Sequence, residues 1–565
     1  MQKFSELKYV RPDLKAFEKN VNECLDRMEK ATSYEEAKKE YFEIERLNDE
    51  MGDMYTIASI RNTMNKADEF YDAEMKFADS ELPRLMPLNK RASEVMLNSP
   101  YRADFEKEFG EMITMYDLKT LPLKNEALIP LQIEENELTT EYSKVTAACV
   151  CDFRGEQCNF YGLLKHMQST DRAERKEAFE AWSALYESVS AKLEDIYDRL
   201  VHNRAEQAKI LGYDFYGDVC YLNSGHFDYT KEDVAAFRAQ VVETIVPIAS
   251  ALYEEQRQRL GLDELYYYDE ALVFPDGNAN PIGTKDELVA KAQKMYSELS
   301  PETKEFFDFM VKYDLFDLET RPNKHLGGYM TILHGEKAPF IFSNFNGTSA
   351  DVDVLTHEAG HAFQGYTGSR CIPVSALSMS TSDIDEIHSM TMEMLTYPWM
   401  ELFFGDQVNK YRYLHLTESI KVIPYLCAVD EYQHRVYEKP EMTSMERCAV
   451  WKKIEEIYLP WRKYDGNEFM ETGAFWMQKQ HIFLYPFYYV DYALSQVSAY
   501  QLFNKYNKDK KAGWEAYLTL CRNGGTMSYL KLLAASGIRS PFEKGTVKET
   551  LDGILEIVDD FRKAL

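Results

Sequence analysis

Apolar residues recur at helical spacing along most of this chain, and stretches of strict alternation are few and short. From Asp13 to about Lys107 the pattern is charged and periodic, interrupted only by Pro83, Pro87 and Pro100, which predicts long amphipathic helices. Around Cys149 to Phe160 an apolar alternation is split by Arg154-Gly155-Glu156, the pattern of a β-hairpin. Ser169-Thr170-Asp171 then opens a helical run through Ala191. Tyr266 to Gly283, rich in aromatics and acids and containing Pro275-Asp276-Gly277, predicts an ordered loop region, with helix returning near Thr284. Tyr329 to Leu333 and Phe340 to Phe345 are short β-prone runs on either side of His334-Gly335-Glu336-Lys337, a second hairpin. An extended strand at this place can pair with a peptide backbone, and we assign that pairing to 340–345.

Composition narrows the class. With 565 residues, 45% apolar and 28% charged positions, and only 26 Gly and 19 Pro, the chain has the balance of a large globular protein rather than a disordered or fibrous one. We divide it into an N-terminal helical lobe with a short β-hairpin over 1–200 and a catalytic domain over 201–565. A formal net charge of -29 argues against a nucleic-acid partner, which needs clustered Lys and Arg to neutralise phosphate. Nine thinly spread cysteines are not a disulfide framework. Cys149, Cys151 and Cys158 cluster, but they lack the paired C-x-x-C spacing of a zinc knuckle and read as structural. The opening MQKFSELKYVRPDLK has no apolar h-region of a secretory signal. Val241 to Leu252 is broken by Glu243 and Pro247, short of the ~20 apolar residues that span a bilayer. The expectation is a cytoplasmic protein with no membrane partner.

The chemistry lies in His357-Glu358-Ala359-Gly360-His361, an H-E-x-x-H motif. With 11 His in the chain, chance alone produces such a motif about once in 50 chains of this length, so context must support it. Thr348 and Ser349 can cap a helix, Asp351 and Asp353 suit its first turn, and Val354, Leu355, Ala359, Ala362 and Phe363 continue it to a predicted end near Gly365 or Gly368. On that helix His357 and His361 leave one face about 6 Å apart and can reach one ion, while Glu358, about 100° around, can contact water without becoming a ligand. Gln364 and Thr367 stand where a metzincin would carry Gly and His, so the third ligand must be a downstream acid. Ser380-Thr381-Ser382 cap a second predicted helix, DIDEIHSMTMEMLTYPWMELFF, which presents Glu386, Met390 and Glu393 on one face. Glu386 is the third ligand in this reading, and Glu393 a partner for a ligand histidine nitrogen. His388, about 200° around from Glu386, is assigned a structural role. A purely structural zinc would need a fourth protein ligand, for which Glu393 is the nearby candidate. Further on, HIFLYPFYYVDY sets Pro486 in the first turn of a helix capped by Tyr485, so that Tyr485, Tyr489 and Tyr492 share one face and can donate to an oxyanion, with His481 close by.

These residues resemble the oligoendopeptidase F branch of the thimet oligopeptidase-like zinc peptidases, over most of the chain. FIFSNFNGTSADVDVLTHEAGHAFQ is similar to that branch's zinc region, and the family's third ligand, a Glu 25 residues past the second His, falls on Glu386. The family's histidine and tyrosine series for substrate and intermediate maps onto His481, Tyr485, Tyr489 and Tyr492, with a His-to-Tyr interval one residue shorter than in the thimet oligopeptidase relatives. The resemblance implies a mainly α, two-lobed body with a small β element beside the active-site helix, a deep substrate channel with one Zn2+ at its base, and short peptides as substrates. The mechanism it suggests is attack by a zinc-bound water on an internal peptide bond, with Glu358 as general base.

Overall fold

The computed structural model describes every residue of the chain except 322 and 326. Helices dominate, as the periodicity predicts, and local signals explain where they begin. Asp13 accepts from the backbone N–H groups of Lys15 and Ala16 to start Leu14–Glu29, and Ser33 accepts from that of Glu36 to start Tyr34–Met64. Pro83 and Pro87 do not break the N-terminal array. They enter the first turns of Leu82–Leu85 and Met86–Asn98, where a missing N–H costs nothing. Asp171 caps a helix that runs from Arg172 to Ile210, well beyond the predicted Ala191.

The first hairpin pairs β1 (Cys151–Phe153) with β2 (Glu156–Cys158). Its turn is Arg154-Gly155, both with positive φ, the backbone twist a two-residue hairpin requires. Glu156, predicted in the turn, is therefore the first residue of β2. The second sheet holds β3 (Phe316–Glu319), β4 (Tyr329–Leu333) and β5 (Ala338–Phe345) in the order β3-β5-β4. β5 runs parallel to β3 and antiparallel to β4, so both of its edges are occupied. The pairing of 340–345 with a substrate backbone is thereby corrected: among the described residues the open edge beside the motif helix belongs to β4.

One hydrophobic core runs through the body and includes the second sheet and the helices that flank it. A second collects Val21, Leu25, Phe105 and Phe109 from the N-terminal helices around Ile372, Val374 and Leu377. Helix Lys231–Arg259 has an apolar window, of mean hydropathy 1.3, long enough to cross a membrane by composition. It packs against Val408–Glu438 and Thr546–Lys563, which accounts for its apolar face.

Candidate active site

The motif helix spans Ala350–Cys371. Ser349 makes no side-chain cap; instead the Asp351 carboxylate accepts from Asn346 N at 2.9 Å and Gly347 N at 2.8 Å and fixes the turn that enters the helix. Gly365 and Gly368 do not end it. Glycine in this helix marks close approach: a Cβ on Gly360 would lie 2.6 Å from Ser389 Cα and 2.7 Å from the His388 carbonyl, and one on Gly368 would lie 2.2 Å from the Ser378 carbonyl. These contacts seat the ligand helix, Ser382–Leu395, directly on the motif helix. The ligand helix stops at Leu395, short of its predicted end at Phe404, and passes through Thr396 into a 3-10 turn, Tyr397–Trp399, which takes Pro398 near its start, where no backbone N–H is needed.

His357, His361 and Glu386 converge. A Glu386 Oε2 lies 3.3 Å from His357 Nε2 and 3.5 Å from His361 Nε2. Donors ~2.1 Å from a tetrahedral ion stand about 3.4 Å apart, so these three residues fit a divalent cation by spacing as well as by chemistry. Burial alone would raise the Glu386 carboxyl, but the two imidazoles hold it well below the usual range.

The opposite nitrogen of His357 is occupied. Nδ1 lies 2.5 Å from Glu393 Oε1, the other Glu393 oxygen lies 2.9 Å from His415 Nε2, and His415 Nδ1 is 2.7 Å from the Tyr397 hydroxyl. Burial would raise Glu393, yet its two histidine partners hold it down to about 2. This chain of bonds orients His357 with Nε2 towards Glu386. His388 lies on the far side, buried with its Nδ1 3.6 Å from Cys521 Sγ.

Glu358 is buried, and burial raises its pKa against the pull of both motif histidines. Gly328, at the entry to β4, brings the chain against it: a Cβ there would stand 3.5 Å from Glu358 Oε1 and 2.9 Å from Val354 Cγ1.

The aromatic series sits differently from its predicted placement. The short helix Gln480–Leu484 ends where Tyr485, the residue before Pro486, leaves the helical region (φ -137°, ψ 69°), and Phe487 then adopts a left-handed backbone (φ 64°), so the next helix begins only at Tyr489 and runs to Lys508. Tyr485 therefore stands between helices, 56% exposed, and does not share a helical face with Tyr489 and Tyr492. Tyr488, which the sequence reading passes over, donates from its hydroxyl to Glu386 Oε1 at 3.0 Å. Tyr492 meets the Tyr488 ring edge-on with centroids 5.2 Å apart. The His481 ring stacks on Tyr488 at 6.1 Å and lies 4.7 Å from Tyr489. Burial, with Lys479 nearby, lowers His481 to about 3, so it is a neutral imidazole.

Behind the site, His226 Nε2 lies 3.3 Å from Asp491 Oδ2 and 3.8 Å from Asp383 Oδ2, all three buried. Tyr229 also donates to Asp383 at 2.9 Å, and Ser382 donates to Asp491. This cluster pins the first turn of the ligand helix to the first turn of the tyrosine helix. Neither His226, His415 nor Tyr488 stands in a local motif, and only an aromatic-rich stretch hinted at the last.

A buried glutamate beside two helix-borne imidazoles and a carboxylate from a neighbouring helix, in a mainly helical body, defines a metallopeptidase. The family models described as Peptidase family M3 and Peptidase M3 N-terminal domain match residues 165–550 and 4–120. The chain belongs to peptidase family M3, in its oligoendopeptidase F branch, and is a metalloendopeptidase that acts on peptides. It is 40% identical to PZ peptidase A, solved with inhibitor 2, with a TM-score of 0.95 and 99% of each chain covered. An oligoendopeptidase F homolog of Borreliella burgdorferi is 22% identical over 495 residues, 83% of this chain and 80% of that protein. The group B oligopeptidase PepB of Streptococcus agalactiae is 23% identical over 386 residues, 67% of this chain and 62% of that protein.

Proposed function

We propose that this chain is a zinc-dependent oligoendopeptidase that hydrolyses internal bonds of short peptides, with His357, His361 and Glu386 holding one ion. The observation that carries the reading is the 3.3 and 3.5 Å spacing of the three donors, close to the edge of a zinc tetrahedron. The commitment of Glu393 to the remote nitrogen of His357 supports a catalytic ion over a purely structural one, since it takes the candidate fourth ligand out of reach. Zinc, when bound, would supply a Lewis acid that polarises the scissile carbonyl and acidifies water.

The protein's own residues do the rest. Glu358, its pKa raised by burial, takes a proton from the attacking water on a carboxylate oxygen and returns it to the leaving amine. The phenol of Tyr492 donates to the developing oxyanion, and that of Tyr488 joins it when its single proton turns from Glu386 Oε1 to the oxyanion. His481 has a buried Nδ1 with no hydrogen-bond partner in the protein, which suits a contact to substrate, and Tyr489 braces its ring. Exposed Tyr485 meets the more distant part of the peptide. The peptide backbone aligns along the open edge of β4, led past Glu358 by Gly328. All of these residues fall within 201–565, the proposed catalytic domain, and nine free thiols suit a reducing compartment such as the cytoplasm.

The test is hydrolysis of a quenched fluorescent peptide blocked at both ends, by wild type, chelator-treated protein and Glu358→Gln. Loss of cleavage in both treated samples is expected, with zinc still bound by the variant. Cleavage that survives Glu358→Gln would remove Glu358 from the base role, and a wild type that cuts only free-ended peptides would replace the endopeptidase reading.

A further inference from the structure

We propose that Glu156, Cys158 and His166 form a second divalent-metal site, remote in sequence from the catalytic one and suited to a borderline-soft cation such as zinc. Glu156 and Cys158 are two residues apart on β2 and so project from the same face of the hairpin. Helix Phe160–His166 turns back over that face, and the His166 ring packs on Phe153 with centroids 4.8 Å apart. One donor atom from each of the three residues lies within 4.8 Å of the others, and His166 Nε2 is 4.0 Å from Glu156 Oε2. Glu156 is exposed, so a side-chain rotation can close this gap to the roughly 3.4 Å edge of a tetrahedral site.

An independent observation supports metal binding. His166 Nδ1 lies 2.6 Å from Glu174 Oε1, and the other Glu174 oxygen accepts from Ser169 Oγ at 2.9 Å. Glu174 thus leaves Nε2 as the free nitrogen, as Glu393 does for His357 in the active site, and a carboxylate in this place is the usual outer partner of a metal-bound histidine. Cys151 is the direct cross-strand partner of Cys158 and lies on the same face of the hairpin. Gly162 leaves room for the thiol, since a Cβ there would crowd Cys158 Sγ to 3.3 Å. Arg154 pairs with Glu174 and Glu177 rather than with the donor carboxylate. Thiolate, imidazole and carboxylate together select zinc, cobalt or cadmium over magnesium or calcium. Binding displaces the thiol proton, so affinity rises with pH. An ion here ties the hairpin to the helix that follows it.

Sulfur separates this site from the catalytic one, whose donors are two imidazoles and a carboxylate. Metal-free full-length protein titrated with Co2+ should bind two ions per chain and develop a thiolate-to-cobalt charge-transfer band that saturates at one equivalent. Cys158→Ser and His166→Asn should each abolish that band and reduce bound metal to one ion per chain, with peptide hydrolysis by the zinc-loaded variants retained as evidence of folding. One ion per chain and no such band in the wild type would overturn the proposal, as would a band that persists in both variants.

Discussion

Replacing Gly360 with alanine asks whether the approach of two helices sets the metal geometry. The new Cβ would stand 2.6 Å from Ser389 Cα and 2.7 Å from the His388 carbonyl, and both obstacles are backbone, so no side-chain rotation relieves them. Non-bonded carbons settle at about 3.5–4.0 Å, which forces the motif and ligand helices about 1 Å apart. The donor separations of 3.3 and 3.5 Å would widen with them, well beyond the ~0.2 Å that a metal site tolerates in its bond lengths. We expect zinc affinity to fall by at least 10–100-fold, the scale seen when an outer partner is lost, and the fold to lose about 1–3 kcal/mol to overpacking. Competition with a chromophoric chelator measures the first, and thermal melting of the metal-free protein the second. Gly365→Ala is the control: its Cβ would meet Met379 Sδ at 3.2 Å and Ile332 Cδ1 at 3.4 Å, the yielding ends of flexible side chains, and should bind zinc as wild type does. If Gly360→Ala melts lower yet binds zinc with wild-type affinity, the helix contact supports the fold but not the metal geometry, and the reasoning fails.

Glu393→Gln removes the charge that orients His357 and should weaken zinc binding by about 10–100-fold in the same competition assay, whereas unchanged affinity would show that the motif helix alone positions the imidazole. Tyr492→Phe should lower kcat by about 100-fold or more with little change in KM, while Tyr485→Phe leaves kcat near wild type; steady-state kinetics on the blocked peptide separates the two, and the reverse ranking would refute this assignment of roles. Burial alone would lower His226, but Asp491 and Asp383 raise it from 6.5 to about 9. A raised pKa means that the folded state favours the imidazolium, so this stabilisation, on the order of 3 kcal/mol, is fully present below pH 6.5 and is lost as pH rises through about 9. Thermal melting should show a decline over that window that flattens in His226→Gln, and an equally steep decline in the variant would assign it to other groups.

Much of this was legible in the residues, because helical periodicity and a four-residue histidine spacing are local signals. The two predicted strands of the second hairpin emerged with nearly their predicted ends. What the pattern could not carry was pairing. β3, only four residues long and 19 positions before β5, has no alternation that announces a parallel partner, and without it β5 looks like an edge strand. The tyrosine register failed for a related reason: Phe487 enters a left-handed conformation that its residue type does not advertise, so the helix expected to open at Pro486 opens at Tyr489, which leaves Tyr485 outside it and sets Tyr488 at its cap with the hydroxyl on Glu386. Glycines 365 and 368 were read as helix stops because a local rule cannot see the neighbour that needs the space.

The second core has a mechanical consequence. Ile372, Val374 and Leu377 lie in the connection between the helix that carries both histidines and the helix that carries Glu386, yet they are packed among the N-terminal helices, and Ser375 is further tied to Asp49 by a 2.6 Å bond. The first hundred residues therefore grip the joint of the metal site and are not a detachable module. A rocking of that lobe to admit a bulkier peptide would be felt as torque between the ligand helices, and metal, by locking the joint, would stiffen the lobe in return.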